Sequence, residues 1–526
     1  MARASSPLFG GATVAQLYLS AFKAFPEKNA IVSDSCTYSY AELEKRSNQI
    51  ARLFQTQGLQ RQNAIAFLVG NRAEAIAAII AAQLIGLKNV SLHPMASEED
   101  HLFVLRDAGV KVLIVDGQKF AARAQAIVDH AVVERVLDLD DSSRCPGLMS
   151  MALTMDDSAL ARAMDAPADA TADDSTEITK LSYTGGTTGR SKGILHSHRT
   201  VVTMINYLLA TYEWPEQIRY LATTPISHAA GALILPTFLR GGTVYLMEKY
   251  DAEDFLKRVT LHQINCTFLV PTQIYGLLDL PTLSEYDFSS LALILYGAAP
   301  IAPARLEQAL DKMGQIFGQL YGQAEAPMAL TYLSRKDHDL KRPHLLRSCG
   351  RVIPGNQVKL LSPNCEEVPV GEVGELCVRG PLVMDGYLNR PDENEKAFAG
   401  NWLHTGDMAR MDEHGYVYIV DRVKDMIISG GFNVYPSEIE NCLAQHPVVA
   451  MSAVIGLPDE KWGEAVTAVV ILKSGSMLTE QQVIDYIVTH KGVVNAPKKV
   501  FFETELPLTA LGKVNKKIIR SKYSEI

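Results

Sequence analysis

From Ala64 to Leu92 three signals follow one another: an apolar strand (Ala64 to Val69), a helical stretch (Ala73 to Leu87) and a second strand (Lys88 to Leu92). That is one β-α-β step, and its recurrence argues for parallel sheets covered by helices. The strand signal returns at Val110 to Asp116 and Val132 to Asp138, then at Tyr220 to Thr224, Thr243 to Met247, Cys266 to Val270 and Leu291 to Tyr296. Near Pro354 the pattern shifts to Gly, Pro and short alternating runs, which reads as a smaller β-rich unit. A strand at Tyr416 to Val420 meets a charged break, Asp421-Arg422-Val423-Lys424-Asp425. New helix and strand signals follow at Ile439 to Ala444, Val448 to Leu457 and Val466 to Leu472. The expected fold class is α/β. A large N-terminal domain over 1–420, of helix-covered mixed sheets with a β-rich subdomain, is joined by a hinge at 421–425 to a small mobile α+β domain over 426–526. Ala166 to Thr176, rich in Ala, Asp, Ser and Thr and without period, is expected to be an exposed loop.

The chain of 526 residues is long enough to bury large cores without disulfide or metal staples. Its formal charge of −9 and lack of a long Lys/Arg block argue against a dedicated nucleic-acid binder. The seven cysteines are scattered and never spaced as C-x-x-C, which predicts free thiols in a reducing compartment and no zinc site. The N-terminus lacks the pattern of a secretory signal, and the C-terminal Ser524-Glu525-Ile526 is not the Ser-Lys-Leu address. The most apolar stretch, Ala73 to Leu87, is interrupted by Glu74 and Gln83 and is shorter than the ~20 residues of a membrane span. A cytoplasmic protein without a transmembrane segment is expected.

The segment with most chemical content is Tyr183-Thr184-Gly185-Gly186-Thr187-Thr188-Gly189-Arg190-Ser191-Lys192-Gly193, which follows an apolar strand. Glycines let backbone N–H groups approach a polyphosphate, Thr184, Thr187 and Thr188 can donate hydroxyls, and Lys192 adds a cation. It is neither a Walker A loop nor a dinucleotide fingerprint, because G-x-x-x-x-G-K-[ST] and G-x-G-x-x-G are both absent. The competing structural reading is a flexible surface loop.

This cradle resembles the signature of the adenylate-forming superfamily of acyl-CoA synthetases, peptide-synthetase adenylation domains and beetle luciferases. The resemblance continues in order through Pro225-Ile226-Ser227-His228-Ala229-Ala230-Gly231, Tyr296-Gly297-Ala298-Ala299-Pro300, Tyr321-Gly322-Gln323-Ala324-Glu325 and Thr405-Gly406-Asp407. It then runs through Asp421 to Asp425, Ser429-Gly430-Gly431-Phe432-Asn433-Val434-Tyr435-Pro436 and Pro507 to Lys513, so that it spans essentially the whole length. What it implies is a two-step reaction: a carboxylate attacks the α-phosphate of Mg-ATP to give an acyl-adenylate and pyrophosphate, and a thiol then displaces AMP.

By the same resemblance, Lys513 is the adenylation lysine, Glu325 the Mg²⁺-directing carboxylate and Tyr321 the aromatic that stacks on adenine. Gly297, Ala298, Ala299 and Pro300 form the adenine-side wall, with Gly322 and Gln323 in the next motif. Asp407 accepts the ribose hydroxyls and Arg422 makes a second ribose or phosphate contact. His228 stands beside the carboxylate substrate; its structural alternative is a satisfied core histidine. Ala324 departs from the family, which commonly has a threonine whose hydroxyl contacts phosphate; a water or Thr331 is the candidate substitute. Lys424 lies at the family hinge, and Gly430 and Gly431 could line a tunnel for a pantetheine arm. Trp462, in Asp459 to Glu464, resembles a segment that meets CoA, against the alternative of a packed surface turn. Lys513, with Lys516, Lys517 and Arg520, is otherwise a solvated basic tail.

The expected activity is an acid:CoA ligase using ATP, Mg²⁺ and coenzyme A on a hydrophobic small-molecule carboxylic acid, with a homodimer as a plausible assembly. The alternatives are delivery to a carrier protein, light-producing oxygenation, and a nucleotide-binding regulator without turnover. The acid pocket is expected around Leu233, Ile234 and Leu235, Asn206 and Tyr207, Phe268 to Pro271, and Ala326 to Ala329. With no evident Asp for an amino group, a fatty, alicyclic or aromatic acid is expected over an amino acid.

Overall fold

A computed structural model describes residues 11–140, 147–155, 174–184, 191–430, 432–508 and 514–524. Two large sheets form the body. In the first, Arg135–Asp138, Val110–Val115, Ala64–Leu68, Lys88–Ser91 and Ile178–Thr184 run parallel, and Lys192–Ser197 and Gly386–Tyr387 complete one edge antiparallel. In the second, nine strands are ordered from Arg351–Val352 at one edge to Thr37–Ser39 at the other. Arg219–Ala222, Thr243–Leu246, Cys266–Leu269, Leu293–Tyr296 and Phe317–Gln323 form its parallel interior. The mixed sheets follow from connection length: helical crossovers produce the parallel steps, while short turns add antiparallel strands at the edges.

The helix Ala73–Leu84 explains how the two sheets pack. Its Ala and Ile side chains are buried on nearly every face, as expected of a helix enclosed between layers. It stops three residues before the sequence pattern does. Gly86 takes φ +70°, and the Leu87 N–H returns to the Ala82 carbonyl at 2.9 Å, a glycine-based helix stop that β-carbon sterics deny most residues. The expected strand Val132 to Asp138 likewise begins only at Arg135, after Ala131 turns with φ +47°. One apolar cluster joins this helix to the facing sides of both sheets, and further clusters cover their outer faces. Of the expected loop Ala166 to Thr176, 166–173 lie outside the described residues, and Asp174–Thr176 forms a short 3-10 turn.

The β-rich unit is a four-stranded antiparallel sheet of Gln357–Leu361, Gly374–Arg379, Leu403–Met411 and Val417–Arg422. Four residues separate its last strand from Ile427–Ser429, which opens the C-terminal sheet. There the long hairpin Val449–Asp459 and Gly463–Leu472 is flanked by Ile427–Ser429 and by Lys499–Phe502, with helices Pro436–Leu443, Glu480–Lys491 and Lys516–Tyr523 completing its cores. The six described cysteines are free thiols. Among the described residues, no helix is long and apolar enough to cross a membrane.

Candidate active site

The strand pair Leu403–Met411 and Val417–Arg422 sets Asp407 opposite Arg422 in register. Gly406 turns with φ +69° just before it, its N–H held by Glu375 Oε1 at 2.9 Å. The Asp407 carboxylate is buried at 2% exposure, yet three donors converge on it. Arg422 Nε lies 2.6 Å from Oδ1, Tyr321 Oη donates to Oδ2 at 2.6 Å, and Gln323 Nε2 donates to the same oxygen at 2.5 Å. Gln323 also donates to the Thr405 carbonyl at 2.9 Å, and Thr405 Oγ1 to Leu376 at 2.6 Å. A buried carboxylate is expensive unless it is paired and hydrogen-bonded, and here charge-assisted bonds do both. Burial and the neighbouring Asp407 charge raise the Tyr321 phenol well above its ordinary pKa, so it stays a donor. The tether fixes the ring of Tyr321, the aromatic that the sequence pairs with adenine.

Glu325 lies in the turn between Phe317–Gln323 and Ala326–Leu333. Its Oε1 accepts from Tyr387 Oη at 2.9 Å. The Lys192 ammonium stands 5.0 Å from the centre of the Tyr387 ring and pairs with Glu393. Tyr387 and Glu393 escaped the sequence reading because they lie far downstream of their partners, 62 residues from Glu325 and 201 from Lys192. The Lys424 charge is close enough to Asp407 and Glu325 to feel both; burial and Arg422 push its pKa down, and the carboxylates pull it back up. Lys424 thus lies within electrostatic reach of both carboxylates, in the four residues between Val417–Arg422 and Ile427–Ser429.

The expected wall has no spare room. A β-carbon on Gly297 would come within 2.5 Å of the Leu320 carbonyl, and one on Gly322 within 2.5 Å of the Met328 amide. Ala298 adopts φ +66°. Ala299 and Pro300 continue this bend after Leu293–Tyr296. At the position of the missing threonine, the Ala324 backbone meets the His196 ring. Thr331 does not substitute: it is fully buried and donates to the Cys349 carbonyl at 2.5 Å.

His228 precedes the short helix Ala229–Ala232. Ser227 Oγ is 2.8 Å from its Nδ1, and the His93 ring packs edge-on with centroids 4.5 Å apart. Burial first, then the proximity of His93 and Lys180, push its pKa down to about 3, so the imidazole is neutral at ordinary pH. His93 and Lys180 were not singled out in the sequence; the usable signal for His93 was its place just after the strand Lys88–Ser91. Ala229, Ala232 and Tyr207 keep partial exposure, while Leu233, Ile234, Leu235 and Phe268 are core residues with little free surface.

In the C-terminal part, Gly430 turns with φ +59°, donates to the Trp462 carbonyl at 2.7 Å, and would place a β-carbon 2.9 Å from the Trp462 ring. Lys461 and Lys498 lie 5.0 and 4.9 Å from that ring's centre. Trp462 is therefore both a packed anchor and the centre of a small cationic surface. Gly185, Gly186, Thr187, Thr188, Gly189, the Thr184 side chain, Gly431 and Lys513 lie outside the described residues. The flanks of Lys513 pair as a bridge, Leu508 with Val514. Lys516 is not solvated as the basic-tail reading expected: it is paired with Glu440 at 2.8 Å.

This arrangement belongs with a known group. The chain matches the AMP-binding enzyme family over residues 20–388 and the AMP-binding enzyme C-terminal domain over residues 438–513, and it belongs to that family. It is 41% identical to the medium/long-chain-fatty-acid–CoA ligase FadD8 of Mycobacterium tuberculosis, covering 97% of this chain and 90% of that one. It is 32% identical to a feruloyl-CoA synthase of Amycolatopsis, covering 95% and 96% respectively. The fold superposes on ATP-bound MatB from Rhodopseudomonas palustris with a TM-score of 0.86 at 29% identity, covering 97% of this chain and 99% of that one.

Proposed function

We propose that the protein is an AMP-forming acyl-CoA synthetase acting on a hydrophobic carboxylic acid, fatty, alicyclic or aromatic. The carboxylate oxygen attacks the α-phosphorus of ATP and expels pyrophosphate; the CoA sulfur then attacks the acyl carbon, forming a thioester and expelling AMP. The observation that carries this reading is the buried Asp407 carboxylate, held by Tyr321, Gln323 and Arg422 beside Glu325, within a chain closely related to CoA ligases.

In this reading Arg422 turns from Asp407 Oδ1 to ribose or phosphate, and Asp407 accepts the ribose hydroxyls at the lone pairs then open on that oxygen. Tyr321 stacks on adenine against Gly297, Ala298, Ala299 and Pro300. Thr184 to Gly189 and Lys192 cradle the phosphates, and Lys513 stabilises charge developing on the α-phosphate. Glu325, a hard oxygen donor with Oε1 already oriented by Tyr387, fits a Mg²⁺ ion shared with the triphosphate. That ion would neutralise phosphate charge. Neutral His228 orients the acid carboxylate by hydrogen bonding and contributes no cation. The domains are taken as 1–420 and 426–526, rotating about 421–425 so that Gly430, Gly431 and Trp462 replace Lys513 for the thiol step. Lys461 and Lys498 beside Trp462 suit the phosphates of CoA. The free thiols support a reducing, cytoplasmic setting.

The test is acid-dependent exchange of labelled pyrophosphate into ATP, followed by mass spectrometry of acyl-CoA products across a panel of acids. Lys513→Ala should lose about 10²- to 10³-fold in exchange rate. Wild-type exchange in that variant would refute the role of Lys513, and an acid panel that gives adenylates but no CoA thioester would refute the ligase reading.

A further inference from the structure

Lys180 occupies the middle of Ile178–Thr184, an interior strand of the seven-stranded sheet, with Asn89 registered on one side and His196 on the other. Registered neighbours project to the same face of a sheet. That face looks inward: Asn89 Nδ2 donates to the Ile79 carbonyl in the helix between the sheets, and the His196 ring meets Ala324 of the nucleotide-site motif. The Lys180 charge is close enough to both His196 and His228 to disfavour their protonation. The ammonium therefore faces the interior, and its charge is felt at the histidine proposed to hold the acid.

Three further facts set this place apart from a packed core. Among the described residues, Lys180 has no hydrogen-bond or ion-pair partner, and burial pushes its pKa down with no carboxylate to offset it. Its flanking residues, 6% and 3% exposed, each leave a buried atom unpartnered, Asn89 Oδ1 and His196 Nδ1. By surface area Lys180 is only partly buried, so packing does not close it off on every side. Unpaired buried polar groups cost free energy, and an acceptor oxygen brought by a ligand would complete the Lys180 donors, though not Asn89 Oδ1, which itself accepts.

The chemistry of the ligand follows from the donors. An ammonium has three N–H bonds and no lone pair, so it requires an acceptor oxygen, and it repels an amino group. The reacting carboxylate is a poor occupant: pairing it with an ammonium would blunt its attack on phosphorus, and once acylated it carries no charge to hold. An oxygen elsewhere on the same acid persists through both half-reactions.

We propose that Lys180, flanked by Asn89 and His196, forms a polar subsite of the acyl cavity that binds a second acceptor oxygen, an oxo group or a second carboxylate, on the acid substrate. The proposal rests on the acyl-CoA synthetase reading. Plain acids fit the cavity but leave the ammonium unpaired; acids carrying that oxygen are preferred.

The test compares wild type with Lys180→Met, which conserves length, and with Lys180→Gln, which keeps a donor without charge. The substrates are octanoic and decanoic acids, their mono-oxo derivatives with the oxo group moved along the chain, and the matching α,ω-dicarboxylic acids. Wild type should favour at least one oxygenated acid over its plain counterpart in kcat/KM. Lys180→Met should lose about 10- to 100-fold on that acid and little on the plain one. Lys180→Gln should retain more of the oxo acid than of the dicarboxylic acid, and it serves as the readout if the Met variant does not fold. Equal losses on plain and oxygenated acids, or a wild type that never prefers an oxygenated acid, would overturn the subsite. Absence of exchange with every acid would instead sink the synthetase reading itself.

Discussion

The Asp407 side of the site and the His228 side are built on opposite plans. At Asp407 every oxygen is engaged by protein donors at 2.5 to 2.6 Å, and the pair Asp407–Arg422 is fixed by strand register. On the His228 side one buried atom each of Asn89 and His196, Oδ1 and Nδ1, is left without a partner, and among the described residues Lys180 has none. A group that every turnover presents in the same form can be met by a preorganised constellation, because nothing about it varies. A group that differs between substrates is met by a cavity whose polar atoms the substrate completes. In the proposed reading, satisfied and unsatisfied buried polarity mark two halves of one active site.

The largest expected effect tests the preorganised side. Asp407→Asn keeps the volume but removes the charge that Arg422 and two further donors share, and ATP affinity should fall about 10²- to 10³-fold by calorimetry. An affinity within about twofold of wild type would break the comparison. Lys424→Pro, which stiffens the four residues between the two sheets, should slow thioester formation about 10²-fold and spare adenylation. Lys424→Gln removes the same charge without stiffening the chain, so it should leave both steps near wild type; damage to adenylation by the Pro variant, or to thioester formation by the Gln variant, would refute the hinge role.

A smaller effect sharpens the His228 side. His228 is held neutral in the fold with a pKa of about 3, against about 6.5 when unfolded. Below about pH 6.5 the unfolded chain binds a proton that the native chain refuses, so stability falls as pH drops toward the folded value. His228→Asn should flatten that slope by up to about 1.4 kcal/mol per pH unit in urea titrations; a slope equal to wild type would show that the imidazole is not held neutral. The smallest effect is Tyr387→Phe. It removes one hydrogen bond to Glu325, worth about 1 kcal/mol, and should raise the Mg²⁺ concentration needed for half-maximal activity about fivefold, with no change in the acid preference.

Much of this was legible in the chain. The β-α-β alternation foretold the parallel interior of both sheets, and the collinear motifs singled out Tyr321, Gln323, Asp407 and Arg422 before any fold was available. What was illegible was pairing across distance. Tyr387 had no local signal for its bond to Glu325, and Glu393 none for Lys192. The same gap separates sequence order from exposure beside His228: Leu233 to Leu235 follow it in sequence but turn into the core, while Ala229 and Ala232 stay only partly buried. Lys516, one of four basic residues in a short run, reads as solvated until Glu440 is brought against it.

The sequence by itself determined the periodicities, the glycine positions and the order of the motifs, because those depend on local sterics and on which side chains recur at strand or helix spacing. Only the tertiary structure decided which charges end up paired. Lys180 is an ordinary residue in a strand until two sheets and a helix close around it, and whether an ammonium finds a carboxylate or is left without one depends on neighbours contributed from far along the chain.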